Sequence, residues 1–505
     1  MSFNELPWSV QIDYPILAFL QLLPLLATAL MLLWKERRHL VWIALVAALL
    51  ELLLALDLYR AYDQTLPVLQ FAERISLLGP VEYHAAADGL TVLFVLLNAL
   101  LTLLVAVYAK ARDLQPLSQL LALVFLVEAL LMSLLVSLNL LWFLLMSAGQ
   151  LLPVSYLIRR WASSPDKDLA YSRFMQFMGV GLALLLAGTL MLGLSHMEAT
   201  GRWSFDLYDL AKTTISPELH SVIFFLLFYG LGLRTPIFPF HGWLPIIAEH
   251  GSIAVAPVFL LGLKTGVYGM LRFIFPLLPE AVEQWHGFVV AFALAGVFYA
   301  ALLALLQVNL RRLFAFAVVS HSSLLVIGLF TLGEHSFQGS IMLAVNFGLA
   351  ITALVFMIGL IYRRTHSVLL SRLGGLFDVL PLFGITFLVA GLAIIGMPGT
   401  PGFDAVHLVM EDSIHRFGAL ITIAAALGNV IAAGFLLLAF QRAFLSHQAP
   451  AEEPVEIEHA SPLEKLVSLL VILLLLGGGF YLEPWLKLID GTAHSLSLLF
   501  IPSAG

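Results

Sequence analysis

The chain has 505 residues, of which 61% are hydrophobic and 11% are charged, and its mean hydropathy is +0.98. A soluble globular protein carries about 25% charged residues, so this composition excludes a water-soluble enzyme or binding module. The net charge is −7 and no basic cluster stands out, which excludes a nucleic-acid-binding protein. The chain contains no cysteine, which excludes disulfides, cysteine-ligated metal centres and thiol catalysis. The composition predicts a polytopic protein of the lipid bilayer.

The N-terminal residues 1–14 contain Glu5 and Asp13 but no lysine or arginine. They lack the basic start of a signal peptide, so we expect the first apolar run to be an uncleaved transmembrane helix.

Apolar runs separated by charge, glycine or proline predict an all-α fold with about fourteen transmembrane helices. Their approximate limits are 15–34, 40–59, 89–109, 117–137, 138–158, 174–194, 219–241, 254–275, 287–308, 313–332, 340–361, 381–412, 417–440 and 466–482.

Cationic residues cluster after odd-numbered spans, and therefore on one face of the membrane. They are Lys35, Arg37, Arg38, Lys110, Arg112, Arg159, Arg160, Arg311, Arg312, Arg363, Arg364 and Arg372. The opposite face carries longer, net acidic connections around residues 73–82 and 198–218. By the positive-inside rule the cationic face is cytoplasmic, so both termini are predicted to be external to the inner (cytoplasmic) membrane.

Two of the predicted spans contain helix-breaking segments, at residues 234–245 in the seventh and 396–402 in the twelfth. Proline removes backbone donors, and unpaired backbone at membrane depth is tolerated only inside protein or beside a water-filled cavity. One interpretation is that the prolines merely kink two helices. Interruptions five spans apart favour instead two inverted repeats with an ion path at the breaks.

The predicted organisation follows from these repeats. Residues 1–116 form three N-terminal helices, 117–275 the first repeat and 276–440 the second, and 441–505 contain a connector and the last helix. The polar stretch Arg442 to Lys465 is predicted to be that cytoplasmic connector. No glycine-rich phosphate loop is present, so we expect no NADH, flavin or ATP site, no cofactor and no redox chemistry in this chain.

Ionisable residues inside the predicted spans are the candidates for ion translocation, because a charge at the bilayer centre costs roughly 2.5–3.5 kcal/mol. Lys264 lies mid-span and is too deep to snorkel, so it is the first candidate for a proton carrier. Arg234, beside the first break, stays protonated and can be a fixed charge or half of an ion pair with Glu128 or Asp404. Glu128 is either that counter-ion or a relay carboxylate.

Three histidines complete the set. His321 is a candidate relay group, unless the neighbouring serines simply satisfy its ring. His241 near the first break, and His407 with Asp404 after the second, are candidates too, although the membrane interface would solvate them cheaply. Asp88, which precedes the third span, is predicted to be an interfacial or capping carboxylate.

Several motifs match a known family in order and spacing. They are Asp88-Gly-Leu90, Leu138-Asn-Leu-Leu-Trp-Phe143 with Leu152-Pro153, Pro236-Ile-Phe-Pro-Phe-His-Gly-Trp-Leu-Pro245, Leu263-Lys-Thr-Gly-Val-Tyr-Gly-Met-Leu-Arg-Phe273, Asn309-Leu-Arg-Arg-Leu313 with Ser320-His321, and Gly396-Met-Pro-Gly-Thr400. From about Asp88 to the last span, the chain resembles the antiporter-like subunits of proton-pumping NADH dehydrogenase, above all the M subunit. The resemblance implies fourteen spans, two inverted five-helix repeats and broken seventh and twelfth helices.

The resemblance also implies a row of protonatable groups at the membrane midplane, in which Lys264 matches the central lysine and His321 the tenth-span histidine. Four positions depart from the family pattern. Ala148 replaces the fifth-span glutamate, Arg234 its paired lysine, Phe347 the eleventh-span histidine and Val406 the twelfth-span lysine or glutamate. The paired carboxylate is gone and the arginine cannot deprotonate, so the family's switch cannot work unchanged.

These features support two classes of function. In the first, the chain translocates protons or cations within a larger assembly: an NADH dehydrogenase, a membrane hydrogenase, a cation/proton antiporter, or an inorganic-carbon uptake complex with a zinc-containing, carbonic-anhydrase-like partner. In the second, the chain is a non-conducting scaffold that anchors a peripheral enzyme. The retained Lys264 and both breaks favour the first, whereas Ala148 and Val406 favour the second.

Overall fold

The computed structural model describes residues 4–33, 37–66, 68–78, 81–162, 164–251, 264–447 and 457–501. In these ranges the chain is mainly helical, and eleven helices are long and apolar enough to cross a membrane. The predicted class, a polytopic helical membrane protein, is therefore confirmed. The count of fourteen crossings and the two inverted repeats stay predictions.

The N-terminal half contains three short strands and eleven helices, followed by one at the edge of the undescribed residues 252–263. They are β1 Glu5–Pro7, α1 Trp8–Gln11, α2 Ile16–Leu33, α3 Arg37–Ala61, β2 Leu69–Leu78, β3 Val81–Ala87, α4 Gly89–Arg112, α5 Leu117–Val136, α6 Leu140–Gly149, α7 Leu151–Arg160, α8 Lys167–Thr200, α9 Leu207–Leu210, α10 Pro217–Arg234, α11 Trp243–His250 and α12 Lys264–Gly269.

The C-terminal half is helical wherever it is regular in the described ranges. A π-helical turn, Met270–Ile274, leads into α13 Phe275–Leu277, α14 Pro279–Leu305, α15 Leu310–Leu329, α16 Glu334–Thr365, α17 Leu376–Val379, α18 Pro381–Ile394, α19 Pro401–Phe417, α20 Ala419–Phe440, a second π-helical turn Gln441–Leu445, α21 Pro462–Phe480, α22 Glu483–Ser497 and a 3₁₀ turn Leu498–Phe500.

Each predicted span that falls on described residues coincides with helical structure. The fifth and twelfth spans each consist of two helices, α6 with α7 and α18 with α19, whereas the seventh is α10 and the break after it, and α11 begins beyond its predicted end at residue 241. Only residues 264–275 of the eighth span are described; the rest lies outside the described residues, as do Lys35 and residues 448–456 of the predicted connector. The apolar periodicity located the helices well because lipid requires every backbone group of a span to bond within its own helix.

The all-α prediction missed a small sheet. Strand β1 pairs parallel to β2, and β2 pairs antiparallel to β3, in the segment interpreted from sequence as an acidic connection. Buried His84 of β3 anchors the sheet, because its ring nitrogens lie 2.5 Å from Asp206 Oδ2 and 2.8 Å from Glu5 Oε2. The sheet stands outside the apolar spans, so it leaves no mark on the hydropathy profile.

The cationic ends of the spans meet one another, as the predicted topology requires. Arg363, after the eleventh span, donates to the carbonyl of Ala111, after the third, at 2.8 Å. Arg311, after the ninth, lies 4.6 Å from the ring centroid of Tyr362. These contacts join three odd-numbered ends on one face.

Helix α22, near the C-terminus, packs against the start of α4 at the opposite ends of the spans. Helix α22 was not predicted; it follows the last span and packs on the start of α4, where the carbonyl oxygen of Leu488 lies 1.7 Å from the place a Cβ of Gly89 would occupy. Thr492 of α22 donates to Asp88 at 3.2 Å. Any side chain at position 89 would push α22 off the bundle. Which face is external stays a prediction.

Asp88 has the capping role predicted for it, because it accepts the backbone N–H of Thr91 at 2.9 Å. It also forms an ion pair that the sequence did not reveal: Arg272 Nη2 lies 2.6 Å from Asp88 Oδ1. Burial raises the pKa of Asp88, but the charge and hydrogen bonds of Arg272 and the bonds from Thr91 outweigh it and hold that pKa below its usual value. The pair ties α4 to the π-helical turn after α12.

We expect Asp88→Asn to lower the free energy of unfolding by about 3–5 kcal/mol, because it leaves the Arg272 guanidinium buried without a counter-ion. The matched control is Asp168→Asn, which breaks a 2.8 Å pair with Arg159 in which both side chains are more than half exposed; about 0–1 kcal/mol is expected. Thermal unfolding in detergent compares the two, and equal losses would contradict the assignment.

The difference between wild type and Asp88→Asn is also expected to depend on pH. A carboxylate whose folded-state pKa is lowered stabilises fully above its unfolded pKa, about 3.9 for aspartate. That stabilisation is lost as the pH falls through the folded-state value. The stability gap should therefore stay constant in neutral buffer and shrink below about pH 4.

Candidate ion-translocation site

The first break separates α10, which ends at Arg234, from α11, which begins at Trp243. The Trp243 indole N–H donates to the carbonyl of Leu233 at 3.2 Å and so satisfies one backbone group that the break frees. Helix α12 crosses here in close contact: a Cβ at Gly266 would lie 2.0 Å from Thr235 Oγ1 and 2.4 Å from the carbonyl oxygen of Leu231. Glycine is therefore required at position 266.

Arg234 is buried at this break, with 5% of its surface exposed. One guanidinium nitrogen donates to the carbonyl of Ser147 at 2.6 Å, and the other lies 3.4 Å from Thr265 Oγ1. The predicted ion pair with Glu128 or Asp404 is wrong, because no carboxylate lies within ion-pair distance of Arg234 among the described residues. A backbone carbonyl beside Ala148 takes the place of a counter-ion.

Lys264 is the first described residue of α12, and its side chain lies outside the described part of the chain. Only its place in the fold follows from the structure. It stands two residues before Gly266, on the helix that packs against the first break.

Glu128 lies in α5 and is completely buried. Neither of its carboxylate oxygens has a hydrogen-bond partner in the described ranges. Helix α6 packs against α5 close by, because a Cβ at Gly149 would meet Leu130 at 3.3 Å. Glu128 therefore lies on the helix that packs against α6, and it makes no ion pair with the Arg234 guanidinium among the described residues.

His241 is buried within the chain, and its depth in the membrane stays a prediction. It is 7% exposed and lies among aromatic rings, with centroids of Phe238 at 5.9 Å, Tyr299 at 5.3 Å and Phe316 at 6.4 Å. Its Nδ1 has no hydrogen-bond partner among the described atoms.

His321 of α15 is buried too, and its Nε2 has no described hydrogen-bond partner. The neighbouring serines do not satisfy it, which corrects that alternative: Ser320 donates to the carbonyl of Val297 at 3.0 Å and Ser323 to that of Val319 at 2.8 Å. The ring of Phe347 lies 5.0 Å from the imidazole. An apolar ring therefore stands where the family resemblance implies a second histidine.

The second break, between α18 and α19, is held by two asparagines that the sequence analysis did not identify. Asn346 Nδ2 donates to the carbonyl of Ala393 at 2.8 Å, and Asn429 Nδ2 donates to that of Ile395 at 2.6 Å. Both amide oxygens have no hydrogen-bond partner in the described ranges. The signal that could have found them is an amide inside an apolar span, opposite a Gly-Pro interruption.

Asp404 and His407 lie apart from these groups. They project from α19, where Asp404 is half-buried and His407 is exposed on the outer surface of the chain. The structure does not bring either residue to His321 or Arg234. Proximity in sequence to the second break was a poor guide, because a helix turns successive residues to different faces.

The fold has counterparts among known proteins. The structure superposes on a chain of respiratory complex I from Thermus thermophilus with a TM-score of 0.86 and 26% identity, covering 96% of this chain and 100% of that one. A chain of the Mrp complex from Dietzia has the same TM-score at 18% identity, covering 96% and 98%, and shows the shared fold. The molecule thus has the architecture of an antiporter-like membrane subunit.

Residues 137–432 match the family described as NADH:quinone oxidoreductase/Mrp antiporter, TM. NADH-quinone oxidoreductase subunit M of Pseudomonas aeruginosa is 29% identical over 90% of this chain and 92% of that protein, and subunit M of Escherichia coli is 27% identical over 90% and 91%. The chain belongs to this antiporter family, and the resemblance drawn from the sequence motifs is confirmed.

The packing of the second break generates a stability prediction. A Cβ at Gly402 would lie 2.3 Å from the carbonyl oxygen of Ala393 and 2.8 Å from Asn346 Nδ2, so Gly402→Ala should destabilise the protein by about 1–3 kcal/mol. The control is Gly391→Ala in α18, whose Cβ would meet nothing nearer than Leu436 at 3.9 Å. Alanine favours a helix there by up to about 1 kcal/mol. Thermal unfolding should separate the two variants in opposite directions.

Proposed function

We propose that this chain is a proton- or cation-translocating membrane subunit of a larger complex I-like assembly, and that its ion path differs from the family pattern. Membership of the antiporter family supports the general assignment. The buried groups described above support the modified path.

The observation that carries the proposal is a series of buried polar atoms that have no partner among the described residues. The series runs from α5 through the first break to the second: the Glu128 carboxylate, Ser147 Oγ, Gln150 Nε2, Thr235 Oγ1, His241 Nδ1, His321 Nε2 and Asn346 Oδ1. A buried polar group without a partner costs about 1–3 kcal/mol. Such a series is stable when water or a transferable proton completes its hydrogen bonds.

Arg234 explains why the path is modified. A guanidinium keeps its proton, so Arg234 supplies a fixed positive charge and takes no part in proton exchange. Exchange then falls to Lys264, to Glu128 and to His321. His241 extends the series toward the first break, whereas Asp404 and His407 act, if at all, at the outer surface.

The exposed polar side of α19 supports the presence of neighbouring subunits. Helix α19 carries Asp404, His407, Glu411 and His415 along one side, and the last three are exposed. Charged and histidine side chains on a membrane helix avoid lipid. We infer that another subunit of the complex covers this side of α19, with the cationic ends of the spans facing the cytoplasm and both termini external.

A non-conducting scaffold is the second candidate function, and the contact of His321 with Phe347 favours it. An apolar ring in the row of protonatable groups would interrupt proton transfer. In either case the proteins that co-purify with the chain identify the assembly: a nucleotide-binding arm, a hydrogenase, or the zinc-containing, carbonic-anhydrase-like partner of an inorganic-carbon complex.

Proton and sodium flux into proteoliposomes containing the intact complex tests the proposal. We expect Lys264→Ala to lower the flux by about tenfold or more, because a positioned proton-transfer group contributes at least that factor. Lys487→Ala is the matched control, since Lys487 is 66% exposed on α22 and pairs only with exposed Glu483 in the described structure. Its flux should equal that of wild type.

Two results would contradict the proposal. Equal flux in wild type and Lys264→Ala would remove Lys264 as the carrier. No flux above that of empty vesicles, with the complex correctly assembled, would select the scaffold.

A further inference from the structure

A second buried carboxyl group lies beside Glu128. Glu51 of α3 sits in the apolar centre of its helix and is 1% exposed, and Glu128 is 0% exposed. Helices α3, α4 and α5 pack on one another, and the charges of Glu51 and Glu128 act on each other. The sequence did not reveal Glu51 as a candidate, because a single acid in a long apolar run changes the hydropathy of that run little.

Neither carboxyl group has found a protein partner. All four carboxylate oxygens are buried without a hydrogen bond to a described residue. Thr102 of α4 faces Glu128, and its hydroxyl is also buried and unbonded. Asn98, one turn away on the same side of α4, has both amide atoms buried and unbonded. Four side chains from three helices thus form one polar cluster inside an apolar bundle, which we name the α3–α5 acid cluster.

No cation neutralises the cluster within the described ranges. The polar groups of α4 beside it, Thr102 and Asn98, are neutral. Arg234 bonds to the carbonyl of Ser147 and not to Glu128. The two carboxyl groups therefore have only each other and small dipoles for partners.

Two carboxylates that share a site of low polarity cannot both be ionised, because like charges repel and desolvation penalises each charge. One bound proton removes one charge and lets the acid donate to the remaining carboxylate, as in other carboxyl pairs that share a proton. The Thr102 hydroxyl and the Asn98 amide can donate to the oxygens that remain. A single bound proton thus provides a hydrogen bond for carboxylate oxygens that have no partner among the described residues.

We propose that Glu51 and Glu128 form a proton-binding site in which the two carboxyl groups retain one proton between them and exchange a second. Uptake of a further proton makes an O–H bond on the ionised carboxylate and takes the pair from a net charge of −1 to 0; release breaks that bond and restores the charge. The role of this site in translocation rests on the proposed function. The site supplies the acid that the family pattern would place at Ala148.

Infrared difference spectra of the intact complex, recorded between acidic and alkaline buffer, test the site directly. Wild type should show a carbonyl stretch of a protonated carboxylic acid that disappears as the pH rises. Glu51→Gln and Glu128→Gln should each abolish that band, because a lone buried acid beside a neutral amide keeps its proton throughout. Glu483→Gln, which removes an exposed carboxylate of α22, should retain the band.

Spectra of Glu51→Gln or Glu128→Gln identical to wild type would overturn the proposal. If the glutamine variants fail to assemble, Glu51→Asp and Glu128→Asp keep the acid but draw the groups apart, and the pH at which the band disappears should shift. If the band of the aspartate variants disappeared at the same pH as in wild type, the proposal would also be overturned. The flux assay on Lys264→Ala separates this result from failure of the proposed function, since the band does not depend on transport.

Discussion

The architecture depends on how a bundle of apolar helices accommodates polar groups that lipid would reject. Each such group needs a partner within the protein or contact with water. At the ends of the spans the partners are complete, as in the ion pair of Asp88 with Arg272 and that of Glu464 with Arg364. Along the middle they are incomplete, from the α3–α5 acid cluster to Asn346. The contrast separates groups that hold the fold together from the groups that we propose exchange protons.

The two breaks show how interrupted helices are stabilised at membrane depth. Side chains from neighbouring elements donate to the freed carbonyls: the Trp243 indole at the first break, and the amides of Asn346 and Asn429 at the second. Close backbone contacts at Gly266 and Gly402 leave no room for other side chains. The breaks are therefore fixed structures rather than flexible kinks, so they can hold polar atoms at defined positions.

Hydropathy alone located the helices, the two breaks and the ionisable positions, because membrane insertion imposes a simple pattern on the chain. Hydropathy could not reveal which side chains bond to one another. The pairing of Arg234 with Glu128 was a reasonable expectation from charge, yet the carbonyl of Ser147 in α6 accepts the hydrogen bond of the guanidinium. Glu51 stayed hidden because its importance arises from packing between α3 and α5, and helix α22 and the small sheet because they lie outside the spans. Such relations depend on three-dimensional contacts that one-dimensional periodicity does not contain.

The departures from the family pattern become consistent when the charges are considered together. An acid at position 148 would lie next to Ser147, whose carbonyl binds Arg234, and would form a permanent ion pair with a guanidinium that never deprotonates. Such a pair could not switch. Replacing that acid with alanine leaves Arg234 as a fixed charge held by a carbonyl dipole, while the buried carboxyl groups of Glu128 and Glu51 have no cationic partner among the described residues. The absence of an acid at position 148 and the presence of Glu128 and Glu51 then follow from one constraint. An exchangeable carboxyl group must be kept away from a cation that cannot release its proton.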